Sequence, residues 1–303
     1  MNDYIYPILW WNTSLSPPIS SKRGVANNDK KKLVALVLEK FMNIGYEFIC
    51  LGEVSQSDLD FFDIEISPQS LGYYCAKGVE KSGRVYFDTC IYYKKTNMLI
   101  RHGNTDVKNF EMYSSTRTFK YGQKYTFQLS LGDVAIIYLS HWPSKRNDVY
   151  LKLTSIAERL RIDVEAELAL GRKVIMMGDY NVEPYHDALV HHLQSSREKE
   201  LVLNKAAARV LYNPCWKFLS SIQNSSEVMK EGTYYYPSGA FNRWYTIDQV
   251  LFSHGFLVGD WELKDEHVKI IDIDLLMTDC KNGLSSNVSD HLPISATLTR
   301  KLP

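Results

Sequence analysis

"KVIMMGDYNVEP", residues 173–184, runs four apolar side chains into a glycine and then sets an acid and an amide one residue apart. A short apolar run bounded by turn residues reads as a buried strand. Side chains alternate between the two faces of a strand, so Asp179 and Asn181 emerge together. Two readings stay open from this stretch alone. Either the pair caps a turn, or it holds something that needs both a carboxylate and a carboxamide.

Working outward, β-type runs recur at 4–12, 46–54, 89–95, 124–131, 133–141, 246–253 and 293–300. Helical spacing lies between them. Residues 29–45 end on a glycine, 148–171 start from a cap at Asp148 and end at Gly171, and a third helical stretch covers 184–196. The runs 124–131 and 133–141 meet at Gly132, a hairpin signal that implies mixed pairing. Strands interleaved with helices predict one α/β domain over 1–303, with a less regular insert around 196–235.

Composition narrows the class. The chain has 303 residues, 45% hydrophobic, with 35 basic and 35 acidic side chains and no net charge. Such balance excludes coating of nucleic acid by bulk charge and leaves a local basic groove open. No run approaches the ~20 apolar residues a spanning helix needs, because "LVALVLEKF" is broken by Glu39 and Lys40. The N-terminus carries no targeting pattern. Five scattered cysteines (Cys50, Cys75, Cys90, Cys215, Cys280) lack CxxC spacing and read as reduced thiols. These features predict a cytoplasmic protein with no membrane contact and no protein partner, a monomer.

The informative pattern is where the strands stop. "ILWWN" ends at Asn12, "FICLGE" at Glu53, "AIIYLSH" at His141 and "VIMMGDYN" at Asp179 and Asn181. "YTIDQVLF" carries Asp248, and "SDHLPI" sets Asp290 and His291 before the last strand. Taken singly, each has a plain alternative: a turn cap, a solvated acid, a hydrogen-bonded histidine. Taken together they supply what phosphodiester hydrolysis requires. The hard oxygens of Asn12, Glu53 and Asp290 suit Mg2+ or Mn2+. Asp179 can orient or deprotonate a water. Asn181 and His141 can donate to an overcharged phosphate. Asp248 can fix the tautomer of His291. No Cys/His spacing suits zinc, and no P-loop motif is present.

The ordered series "WWN", "LGEV", "SHWPS", "GDYNVEP", "TIDQVLFS" and "SDHLPI" resembles the endonuclease/exonuclease/phosphatase superfamily, from Asn12 to about Leu298. The resemblance implies a four-layer α/β sandwich, two mixed sheets face to face with helices outside and the site at one edge. It implies Glu53 as the main metal carboxylate, with Asn12 beside it and Asp290 contributing directly or through water. Asp179 would position the nucleophile, Asn181 would hold a phosphate oxygen, and His291, oriented by Asp248, would touch the phosphate or take the water's proton. The general base therefore stays open between Asp179 and His291. His141 matches a histidine of deoxyribonuclease-like and sphingomyelinase-like members, suited to stabilising the transition state or protonating the leaving oxygen.

Basic residues at the periphery bear on substrate. Arg117 sits where family members place a phosphate-contacting arginine, and is otherwise an edge-strand charge. Lys145 and Arg146 follow the His141 motif and line a groove or start a helix. Arg243 belongs to the aromatic stretch 232–250, whose rings stack on bases, meet a lipid or sugar, or pack in the core. The first reading is a metal-dependent nuclease on DNA or RNA leaving 5′-phosphates. The alternative is a phosphatase or phosphodiesterase on a small or lipid ester. An inositol phosphatase is disfavoured because "VEP" stands where those members carry an arginine. A scaffold that lost its chemistry is disfavoured because every motif residue is present.

Overall fold

The computed structural model describes residues 3–18, 23–24, 26–114, 117–144, 150–204, 209–220, 232–276 and 288–302. Its strands are β1 (Tyr4–Asn12), β2 (Phe48–Gly52), β3 (Tyr73–Lys77), β4 (Glu80–Ser82), β5 (Val85–Phe87) and β6 (Cys90–Lys94). There follow β7 (Met98–Ile100), β8 (Lys108–Ser114), β9 (Arg117–Gln128), β10 (Val134–His141), β11 (Lys173–Asp179) and β12 (Ser195–Ser196). The last are β13 (Leu211–Tyr212), β14 (Tyr234–Tyr235), β15 (Trp244–Tyr245), β16 (Asp248–Phe252), β17 (Trp261–Ile270) and β18 (Ile294–Arg300). The main helices are α1 (Asn28–Ile44), α2 (Gln56–Glu65) and α3 (Tyr150–Ala169).

One mixed sheet has the order β17-β18-β1-β2-β6-β3, and the other β12-β13-β16-β11-β10-β9-β7 with β8 also on β9. Strand alternation assigns the layers. Ile8 and Trp10 point into a core shared by the two sheets, with Phe48 and Ile91 on one side and Phe127, Ile137, Leu139, Ile175, Met177 and Val250 on the other. Leu9 and Trp11, one residue out of phase, point outward against Val34, Leu38, Phe41, Leu59 and Phe62 of α1 and α2. Ile136, Tyr138, Val174 and Met176 face Ile156, Leu160 and Val164 of α3. Three apolar clusters thus separate four layers, helix–sheet–sheet–helix, the sandwich that the sequence predicts. Central strands covered on both faces must be apolar throughout, which explains the unbroken "ILWW" and "VIMM". Each such buried side chain contributes about 1.5–3 kcal/mol.

Local signals hold where they had physical content. Asn27 caps α1 by accepting from Lys30 N at 2.8 Å, and Gly45 closes it at φ 95° with its N–H on Met42 and Phe41 carbonyls. Gly132 takes φ 92° between β9 and β10. Asp148 lies outside the described residues. The stretch 184–196 corrects the helical expectation: it holds a single π-type turn, Ala188–His192. So short a segment gains little from helix propagation, and its carbonyls are used otherwise: Leu193 N donates to Ala188 O, and Ser195 Oγ to Leu189 O. Within 196–235 only short elements are described, among them a helix Lys199–Leu203, β13 and a 3-10 turn Pro214–Leu219. The four described cysteines are free thiols. No described helix is long and apolar enough to cross a membrane.

Candidate active site

Sheet register builds the site. His141 at the end of β10 pairs with Asp179 at the end of parallel β11, and Asp179 pairs with Asp248 at the start of antiparallel β16. Three functional side chains therefore stand in one row. Gly178 is needed one step earlier, because a Cβ there would lie 2.1 Å from the carbonyl oxygen of its partner Ser140.

The turn reading of Asp179 and Asn181 holds, and the same carboxylate also faces the cleft. Asp179 Oδ1 accepts from Asn181 N at 2.9 Å, a local turn, while Oδ2 accepts from the Asn12 amide at 3.2 Å and faces two imidazoles. His141 Nε2 lies 3.9 Å from that oxygen and His291 Nε2 4.0 Å. Asn181 Nδ2 donates to Trp142 O at 2.8 Å, and an amide has a second hydrogen to offer. Asp179 is almost fully buried. Burial first, and then the charge of Asp248, push its carboxyl up to about 6 against the pull of the two histidines.

Each histidine is held from behind by an aspartate. His291 Nδ1 is 2.7 Å from Asp248 Oδ2, and Trp10 Nε1 donates to Asp248 Oδ1 at 2.8 Å. Trp11, on the opposite face of the same strand, donates to His291 O at 3.1 Å. Both tryptophans of "WWN" thus fix one dyad. Burial opposes charge on His291, but Asp248 outweighs it and raises the imidazole to about 10. On the other flank His141 Nδ1 is 2.8 Å from Asp88 Oδ2, and Lys120 Nζ binds Asp88 Oδ1. His141 is raised despite its burial, chiefly by Asp88. Asp88 is buried, yet Lys120 and His141 hold it far below the carboxylate range.

Glu53 and Asp290 reach the same cleft. Glu53 Oε1 is 3.6 Å from His141 Nε2. Asp290 is exposed, and its Oδ1 accepts from Ser14 Oγ. Asn12 sits deeper, with Oδ1 accepting from Ser14 N at 3.1 Å. Three of the five described non-glycine residues with left-handed backbone are here: Ser14 (φ 53°), Glu53 (φ 54°) and Asn181 (φ 54°). The oxygen-rich donor set of Asn12, Glu53 and Asp290 fits a hard divalent cation. Ligand atoms of Asp179, Asp248 and His291 also fall within 4.8 Å of one another. Both Asp248 oxygens already accept hydrogen bonds, which leaves that group poorer in free donors than the Glu53–Asp290 side.

The cleft measures about 600 Å3. Glu53, His141, Asp179, Asn181, Asp290 and His291 line its floor, and Arg84, Arg117, Lys120 and Lys152 add four basic side chains. Arg117 is therefore at the cleft. Arg243 is exposed on the 234–245 hairpin, outside the lining, and Lys145 and Arg146 lie outside the described residues. Asp88, Lys120, Trp10, Arg84 and Lys152 escaped the sequence reading. Asp88 carried the same signal as its neighbours, an acid just before a strand ("FDTCIYY").

The sequence matches the model of the Endonuclease/Exonuclease/phosphatase family over residues 9–291. No curated protein matches it by sequence. Among solved structures it is similar to D. rerio TDP2 humanized by 14 mutations, at 15% identity and TM-score 0.61 over 97% of this chain and 98% of that one. The human Nocturnin catalytic domain gives 15% and 0.61 over 99% and 98%. D. rerio TDP2 complexed with a single-strand DNA product gives 14% and 0.62 over 98% and 99%. At such identities the likeness is one of fold. With the family match spanning nearly the whole chain, the protein belongs to the endonuclease/exonuclease/phosphatase family of phosphoester hydrolases.

Proposed function

We propose that the protein is a Mg2+- or Mn2+-dependent nuclease that hydrolyses DNA or RNA phosphodiesters and leaves 5′-phosphates. One observation carries the reading: the cleft joins a floor of carboxylates and imidazoles to the side chains of Arg84, Arg117 and Lys152, besides Lys120, which Asp88 pairs. A polyanion needs such positive side chains beyond the reacting phosphate, whereas a small ester needs only the floor. That a protein of the same fold, D. rerio TDP2, forms a complex with a single-strand DNA product is in keeping with it.

Glu53 and Asp290, with Asn12 behind them, would hold the cation, which would supply Lewis-acid stabilisation of phosphate charge. Asp179 takes the proton of the attacking water. It is the better base of the two considered, because its carboxyl is poised near 6 while His291 keeps its proton up to about 10. His291 then serves as an imidazolium donor to a non-bridging oxygen, with Asp248 holding its Nδ1–H. His141, on the opposite flank of Asp179, protonates the departing oxygen, and Asn181 donates to the phosphate. The test is incubation of the purified chain with labelled single-stranded DNA, duplex DNA, RNA and bis(p-nitrophenyl) phosphate, with and without metal. Hydrolysis of the last alone would exclude the nuclease reading.

A further inference from the structure

Between the two chain segments that bring Asn12 and Asp290 to the cleft stands a serine that the hydrolytic chemistry does not use. Ser14 lies two residues past Asn12 and takes left-handed backbone at φ 53°. All three of its polar groups are engaged. Its N–H donates to Asn12 Oδ1 at 3.1 Å, its hydroxyl donates to Asp290 Oδ1, and its carbonyl accepts from Lys30 Nζ at 2.7 Å. Lys30 is itself held, because it stands in the first turn of α1, where Asn27 Oδ1 accepts from its backbone N at 2.8 Å. Burial lowers the affinity of its amine for a proton, and the nearby charges of Asp290 and Glu53 oppose that loss.

A count of protons fixes the direction of these bonds. Ser289 Oγ lies 3.1 Å from Ser14 Oγ, but it donates its hydrogen to Asn12 O at 2.8 Å and accepts from His291 N at 3.0 Å. A carbonyl oxygen can only accept, so the Ser289 hydrogen is committed there. The Ser14 hydrogen goes to Asp290 Oδ1, because a carboxylate is the stronger acceptor of the two within its reach. One serine thus touches two of the three oxygen ligands proposed for the cation, and it ties together residues 276 apart in the sequence.

Resting on the cation site proposed above, we infer that Ser14 is a positioning residue that holds Asp290 to coordination through one oxygen and so favours Mg2+ or Mn2+ over Ca2+. With Oδ1 tied to Ser14, the carboxylate is not free to swing both oxygens onto one ion, and Oδ2 is the oxygen it has left to offer. Asn12 Oδ1 is steered in the same way by the Ser14 N–H. A site with few protein oxygens and room for water suits the small, octahedral Mg2+. Ca2+ takes more oxygens at longer distances and commonly binds a carboxylate through both. Lys30 braces the arrangement by holding the Ser14 carbonyl from behind.

The experiment titrates the full chain with MnCl2 and with CaCl2 by isothermal calorimetry, in wild type, Ser14→Ala, Ser14→Gly and Glu53→Gln. Wild type should bind Mn2+ more tightly than Ca2+. Losing a group that orients a metal ligand costs about 10–100-fold in affinity. That loss should fall on Mn2+ while Ca2+ keeps or gains affinity, so the ratio of the two Kd values should move toward Ca2+ by at least about tenfold in both serine variants. Glycine adopts φ 53° without strain, so Ser14→Gly reports on the hydroxyl even where Ser14→Ala is destabilised. A merely structural role would weaken both ions alike. A ratio unmoved in Ser14→Gly, with Mn2+ binding lost in Glu53→Gln, would therefore overturn the role of Ser14 and leave the cation site standing. Equal affinity of wild type for the two ions would overturn the selectivity as well. Mn2+ bound by Glu53→Gln as tightly as by wild type would take the cation away from Glu53, and both readings would fall.

Discussion

Asp88 holds His141 and Lys120 at once, one on each carboxylate oxygen. It therefore fixes the imidazole tautomer and neutralises a largely buried ammonium with the same charge. Asp88→Asn should lower kcat by about 10²–10⁴ through the misplaced proton. It should also cost about 3–5 kcal/mol of stability, because a buried charge loses its partner. Adding Lys120→Met should recover most of the stability and none of the rate. Denaturant unfolding alongside single-turnover rates separates the two effects, and a wild-type kcat in Asp88→Asn would dismiss the dyad.

Asp179→Asn keeps the shape of the side chain and one of its two accepted hydrogen bonds, from Asn181 N or from the Asn12 amide, while removing the base. The fold should survive, and kcat should drop by at least about 10²-fold. Unchanged turnover would move the base elsewhere.

The two perturbed groups set a pH profile. Asp179 must be ionised to act, so kcat/KM should rise as pH passes about 6. His291 must be protonated to donate, so the rate should fall as pH passes about 10. Asp248→Asn removes the anion that raises His291 most, and the alkaline limb of the residual activity should move to lower pH. A profile with no acid limb would rule out Asp179 as base.

Metal dependence has a readout besides turnover. A ligand that binds only the folded state stabilises it by about 2.7 kcal/mol at a hundred times its Kd. Mn2+ should accordingly raise Tm in wild type and fail to do so in Glu53→Gln, and a chelator should abolish hydrolysis. An equal Tm rise in both proteins would place the cation away from Glu53.

Arg117 should act through charge. Arg117→Ala should weaken oligonucleotide binding and make the plot of log affinity against log salt shallower by about one contact's worth. An identical slope would return Arg117 to the solvent.

Much of this architecture was legible in the sequence because strand ends and candidate site residues coincide. A strand buried on both faces shows as an apolar run, and the first polar residue past it must sit at the sheet edge; this rule found Asn12, Glu53, His141 and Asp179. It failed where strands are solvated on one face. Strand β17, "WELKDEHVKI", is charged on alternate residues and bulges between Leu263 and Val268, so no apolar run marks it. Lys120 was hidden for the same reason, being one polar residue among many on the long strand β9. The partnership of Trp10 with Asp248 spans 238 residues, and no local spacing encodes it.

The left-handed residues at the cleft carry a price in robustness. Glu53 and Asn181 present their side chains to the cleft from backbone that only glycine adopts freely. Glu53→Gly and Asn181→Gly should each relieve torsional strain and blunt or abolish activity. Selection for thermal tolerance alone would thus drift toward a sturdier, inert protein at these two positions, and keeping activity in the screen is what would hold them in place.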